Sequence, residues 1–117
     1  MPAATTPPDE AKPATKFTPA TAKAELEEVR IMFQEFRNSL GENPVGTNAE
    51  ITKALLGDNL KQVRLILPKG LRINDDGEMC DPRGIPFFFH QLSGKEMEIR
   101  SAGADEKMWT DDDIVTK

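Results

Sequence analysis

The stretch AKAELEEVRIMFQEFRNSLG constrains this chain more than any other. Leu26, Val29, Phe33, Phe36 and Leu40 recur at alternating spacings of three and four, which is one apolar stripe of a helix. Such a stripe must be covered, and about three heptads are too few for a coiled coil, so the helix is expected to pack on its own domain. Glu25, Glu27 and Glu28 suit the positive end of its dipole, and Gly41 supplies a left-handed stop. A turn at Pro44 and Gly46 precedes a second, short helix in NAEITKALLG, with Asn48 as the candidate N-cap and Ile51, Leu55 and Leu56 on one side.

Beyond Gly57 the period moves towards two. The runs VRLILP, LRIN, IPFFFHQL and MEIRSAG are separated by PKG, DDG, DPRG and SGK turn signals and read as strands. IPFFFHQL and KEMEIRSAG, joined at Ser93-Gly94, form a hairpin in which Met97 and Ile99 share a face. The expected fold is α+β: a long N-terminal amphipathic helix and a short helix packed on a small antiparallel sheet. Residues 1–20 are mostly Pro, Ala, Thr and charge, with Phe17 as their one aromatic. They read as a disordered tether ahead of a single domain, 21–117.

Charge narrows the function. Twenty acids against 15 bases give −5, and no basic stripe can neutralise phosphates, so nucleic acid is excluded as the expected partner. No apolar run in the chain approaches a membrane span. Taken as complete, the chain reads as soluble and cytoplasmic. Cys80 is the single cysteine and His90 the single histidine. Cys80 reads as small filler in a turn; His90 shares a strand face with Phe88, opposite Phe87 and Phe89, and reads as a half-buried or surface imidazole. Neither points to catalysis, and the expectation is a non-enzymatic protein. Ser93-Gly94-Lys95 lacks the glycine and helix of a phosphate loop, and DDGEMCDPRG lacks the spacing of a calcium hand and reads as two turns.

The segment SAGADEKMWTDDDI carries Asp105 after a glycine turn and three consecutive acids at Asp111, Asp112 and Asp113. Three adjacent carboxylates repel one another. A loop returning them towards Asp105 needs a compensating cation, and carboxylate plus carbonyl oxygens suit Ca²⁺. On spacing alone the alternatives are a calcium staple and a solvated acidic tail with Trp109 packed on the sheet.

The half DPRGIPFFFHQLSGKEMEIRSAGADEKMWTDDDI resembles type II secretion major pseudopilins. Their pattern runs Asp-x-Trp-Gly-x-Pro-Tyr/Phe, then Ser-x-Gly-x-Asp-Gly, then an acidic pair before Ile; GENPVGTNAEITKALLGDN resembles the segment leading into it. The resemblance spans Leu26 to Ile114. It implies a pseudopilin-like head of the bacterial envelope or periplasm, with other pseudopilin-like or secretion-system proteins as partners. It also implies a C-terminal calcium loop using the Asp105, Asp112 and Asp113 side chains, with the Ser101 or Ala102 carbonyl as a further ligand. A Pro/Ala/Thr tether is what is expected between a membrane anchor and such a head. Two residues depart from the pattern: Glu106 stands where Gly is usual and penalises a left-handed turn, and Arg83 stands where Trp is usual, an area Trp109 is expected to replace in part. The rival expectation is a soluble adaptor that binds a partner through a sheet edge or the helix stripe, without metal or pilus.

Overall fold

The computed structural model describes residues 17–116. The greater part of the proposed tether, residues 1–16, lies outside them. Helix α1 spans Pro19–Leu40, two residues earlier than the expected domain start. Thr18 caps it by accepting from the Thr21 amide, and the proline occupies the first turn, where a missing N–H costs nothing. The acids expected near the start therefore sit beyond the first turn, which holds none. Gly41, at φ 94°, ends the helix, its N–H donating to the Arg37 carbonyl at 2.7 Å.

Ala22, Leu26, Val29, Met32, Phe33 and Phe36 are buried along α1, and Leu40 is half-buried. Helix α2 spans Asn48–Leu55 and buries Ile51, Thr52 and Leu55. Its cap is Thr47 and not Asn48: Thr47 accepts from the Glu50 amide while the Glu50 carboxylate accepts from the Thr47 N–H, a reciprocal box. Gly46, at φ 122°, holds a backbone that a side chain would strain, and a Cβ there would push the Glu50 carboxylate out of its capping position.

Asn48 is thereby released for a longer-range task. Its amide nitrogen donates to the Met79 and Phe87 carbonyls at 3.1 and 2.7 Å, and its oxygen accepts from the Met79 N–H at 2.7 Å and the Thr52 hydroxyl at 2.9 Å. One side chain thus locks α2 to two separate segments of the sheet region.

The strands form two antiparallel sheets, where the sequence reading expects one. Strands β1 (Arg72–Ile73) and β2 (Met79–Cys80) pair as Arg72↔Cys80 and Ile73↔Met79, around a turn in which the Asn74 carboxamide oxygen accepts from the Asp76 and Glu78 amides. Strands β3 (Phe88–Ser93), β4 (Glu96–Ser101) and β5 (Ile114–Thr116) form the second sheet in the order β3-β4-β5. The expected hairpin at Ser93-Gly94 joins β3 to β4, with Met97 and Ile99 both buried. VRLILP keeps its period of two, Leu65 and Leu67 facing the core, but it has no strand partner; it is tied by the Leu65 N–H to the Leu55 carbonyl at 3.0 Å and by Val63 to the Asn59 side chain.

The core lies where the α1 stripe meets α2 and the inner faces of both sheets, around Leu26, Phe33, Ile51, Leu55, Met79 and Ile99. Phe33 meets Phe89 edge-on at 5.1 Å between centroids, fixing the helix over β3. At the end of α1, buried Asn43 accepts from Arg37 and donates to the Ser93 carbonyl at 3.0 Å, pinning the post-helix turn to the β3–β4 hairpin. Among the described residues no helix is long and apolar enough to cross a membrane.

Asn48→Ala should orphan the Met79 N–H and strip the Phe87 carbonyl of its Asn48 donor, leaving the Met79 carbonyl with only the Phe87 N–H, while keeping the Thr47 cap. The expected cost is about 2–4 kcal/mol, against about 1 kcal/mol for Thr47→Ala, read as a lower urea midpoint with unchanged slope.

Candidate functional site

Strand β4 delivers the chain into the acidic loop at Ser101, and β5 takes it back beside β4 through Ile99↔Thr116 and Ser101↔Ile114. Residues 102–113 are therefore a loop tied at both ends. Its first turn closes through the Glu106 N–H to the Gly103 carbonyl at 3.0 Å, and Glu106 adopts φ 61°, a left-handed position that a glycine would hold without strain. Trp109, at φ 69°, makes a second left-handed step.

The predicted site residues divide into two groups. In the first, Asp105 and Asp112 are linked through the loop backbone, while the Asp113 side chain turns to Arg100. Asp112 Oδ2 accepts from the Asp105 N–H at 3.2 Å and its Oδ1 from the Thr110 hydroxyl at 2.7 Å; Asp105 Oδ1 accepts from the Lys107 N–H at 2.9 Å. The Thr110 hydroxyl, followed by the Asp105 and Ala104 amides, holds the exposed Asp112 carboxyl below its ordinary range. Asp113 is half-buried, with its side chain 2% exposed, and accepts from the Trp109 N–H at 2.6 Å and from Arg100 Nη1 at 3.2 Å. Asp111 is exposed. The second group, Ser101 and Ala102, is buried at the end of β4.

Two guanidinium groups that the sequence reading does not place in the site hold this loop. Arg100 on β4 spans Asp113 and Glu98, and its Cζ lies 4.6 Å from the centre of the Trp109 ring. Arg83, from the Asp81–Gly84 turn, donates to the Ala102 carbonyl from Nη2 and to the Gly103 carbonyl from Nη1, both at 2.7 Å. Behind it, Asp81 is buried with only 3% of its side chain exposed. Asp81 accepts from the Arg83 and Ile85 amides through Oδ1 and from the Arg83 guanidinium through Oδ2 at 2.8 and 3.1 Å. The signal for Asp81 is an Asx turn written as DPRG; the signal for Arg83 is its departure from Trp.

Trp109 does not replace that aromatic's buried area. It is 62% exposed and meets Phe88 edge-on, at 4.7 Å, on the outer face of β3. The space beside the β4 exit is taken by Arg83 itself, whose side chain is 11% exposed. Calcium is implied by the resemblance, so the donor set is the test of fit. The Ala102 carbonyl already accepts from Arg83, and Asp113 from Arg100, while both lone pairs of the Gly103 carbonyl are engaged by Arg83 and the Glu106 amide. A hard divalent ion needs six to eight free oxygens, and two fixed positive charges stand beside these. In this arrangement the residues do not fit a resident calcium ion. Among the described residues no group of three or more acids, cysteines or histidines converges as a metal site.

Cys80 lies in β2, not in a turn, fully buried with its thiol pushed up first by burial and then by Glu78. His90 is exposed, pairing across the strands with Glu98 at 3.2 Å. Comparison with family models, curated proteins and solved structures finds no match.

The Gly103 position packs against the returning chain, and a Cβ there would fall onto the Asp112 carbonyl oxygen. Gly103→Ala should cost about 1–3 kcal/mol by forcing the loop open, read from the urea midpoint. Glu25 on α1 supplies a pH test: burial, then Asp81, raises its carboxyl, with Arg83 partly opposing. A raised carboxyl adds stability when protonated and loses it as pH rises through the shifted value. Glu25→Gln should therefore melt above the wild type at neutral pH, and the difference should close as pH falls below the ordinary carboxylate range.

Proposed function

We propose that this chain is a non-enzymatic, pseudopilin-like head: a structural and assembly module of the bacterial envelope whose partners are other pseudopilin-like or secretion-system proteins. The observation that carries the reading is the way the C-terminal return binds α1. Thr116 on β5, two residues past the resembling segment, donates its hydroxyl to Glu27 of α1 at 2.9 Å and fastens the sheet to the helix that leads into the domain. A head built this way transmits its position through the helix, as an assembly subunit requires.

The polar groups that could suggest chemistry have structural partners: Asp81 holds Arg83, Asp113 holds Arg100, and His90 pairs with Glu98. Partner contacts then fall to surfaces, and the outward side of α1 offers Ile31, which is exposed. An envelope or periplasmic location belongs to the same reading. The adaptor reading differs in its partner and compartment.

A photo-cross-linking residue placed at Ile31 in the native host separates the two. Adducts with pilin-like envelope proteins are expected. Adducts with an unrelated cytosolic protein, and none with pilin-like proteins, would overturn the assembly reading in favour of the adaptor.

A further inference from the structure

The Arg83 guanidinium sits where three parts of the molecule meet. It forms a two-point contact with buried Asp81 in the turn before β3, and it bridges two successive carbonyls, Ala102 and Gly103, where the acidic loop leaves β4. The Phe17 ring covers it, its centre 4.3 Å from Cζ, just before α1 begins. Four of its five N–H donors are thereby used, two on Asp81 Oδ2 and one on each carbonyl.

We propose that Arg83 is the built-in cation of the C-terminal loop: its planar fork takes the Ala102 and Gly103 carbonyls and ties them to Asp81, so that the loop closes without a divalent metal. A negatively charged loop needs positive charge to fold back on its domain. Here one guanidinium supplies it at the β4 exit and a second, Arg100, supplies it at Asp113. Chain connectivity fixes the Arg83 charge at unit occupancy, whereas a bound ion contributes only in proportion to its concentration over its dissociation constant. The geometry is also specific to arginine. A lysine ammonium is a point donor and cannot reach two adjacent carbonyls while keeping a two-point contact with Asp81. This inference rests on the contacts of Arg83 and stands or falls independently of the assembly reading.

The test is thermal unfolding of the full chain, wild type and Arg83→Lys, in millimolar calcium chloride and in excess chelator, with acrylamide quenching of Trp109, the chain's single tryptophan, as the reporter of loop closure. The wild type should melt at the same temperature in both solutions. Arg83→Lys keeps a positive charge near Asp81, so it should fold, but it should melt lower by roughly 5 °C or more, with Trp109 quenched more readily than in the wild type. A wild-type melting temperature that calcium raises and chelator reverses would overturn the proposal. So would an Arg83→Lys variant with wild-type melting and quenching.

Discussion

A buried carboxylate facing a half-buried guanidinium is costly to assemble, and the Asp81–Arg83 pair is tolerated because nearly every polar atom in it is used. Both Asp81 oxygens accept two bonds, and Arg83 extends past its partner to the Ala102 and Gly103 carbonyls. Removing either member would strand the other in a low-dielectric setting, a loss of about 3–5 kcal/mol, whereas the pair's net contribution is smaller because desolvation offsets the attraction. Its principal effect is therefore on position. The turn before β3 and the exit from β4 are held in one register, and the acidic loop starts from a fixed point.

From that point the return path follows. The loop carboxylates bond to loop amides, Asp113 is anchored by Arg100, and β5 joins β4 and reaches α1 through Thr116 and Glu27. The apolar core supplies most of the stability: a fully buried Leu, Ile or Phe contributes about 1.5–3 kcal/mol, and Leu26, Phe33, Ile51, Leu55 and Ile99 are all buried. Polar clamps at Asn43, Asn48 and Arg83 decide which segments that core brings together.

Much of this was legible in the sequence, for reasons that differ by element. The α1 stripe, the Gly41 stop and the β3–β4 hairpin are written in local periodicity and turn residues, and local signals survive folding. Asn48 misled because capping chemistry is shared: Thr47, with Glu50 three residues on, makes a better box, and the freed carboxamide found partners more than thirty residues away. Strand β2 was hidden inside DDGEMCDPRG, since two residues between turns carry no period. VRLILP has the period of a strand without a neighbour to pair with, which no local pattern reveals. At the candidate site, the spacing placed Asp105 and Asp112 in one loop, but it did not show that Asp113 turns to Arg100. Arg83 and Arg100 are distant in sequence from most of the groups they hold, and an arginine's partners are set by tertiary geometry.

The central claim is that the loop between β4 and β5 is closed as firmly as the sheet it joins. Amide hydrogen exchange at Trp109, whose N–H donates to Asp113, tests this most directly. The account predicts that this amide, in calcium-free buffer, is protected by several orders of magnitude over an unstructured peptide and exchanges with an opening free energy close to that of the β4 amides. Exchange at the rate of a free peptide, beside a protected β4, would contradict it.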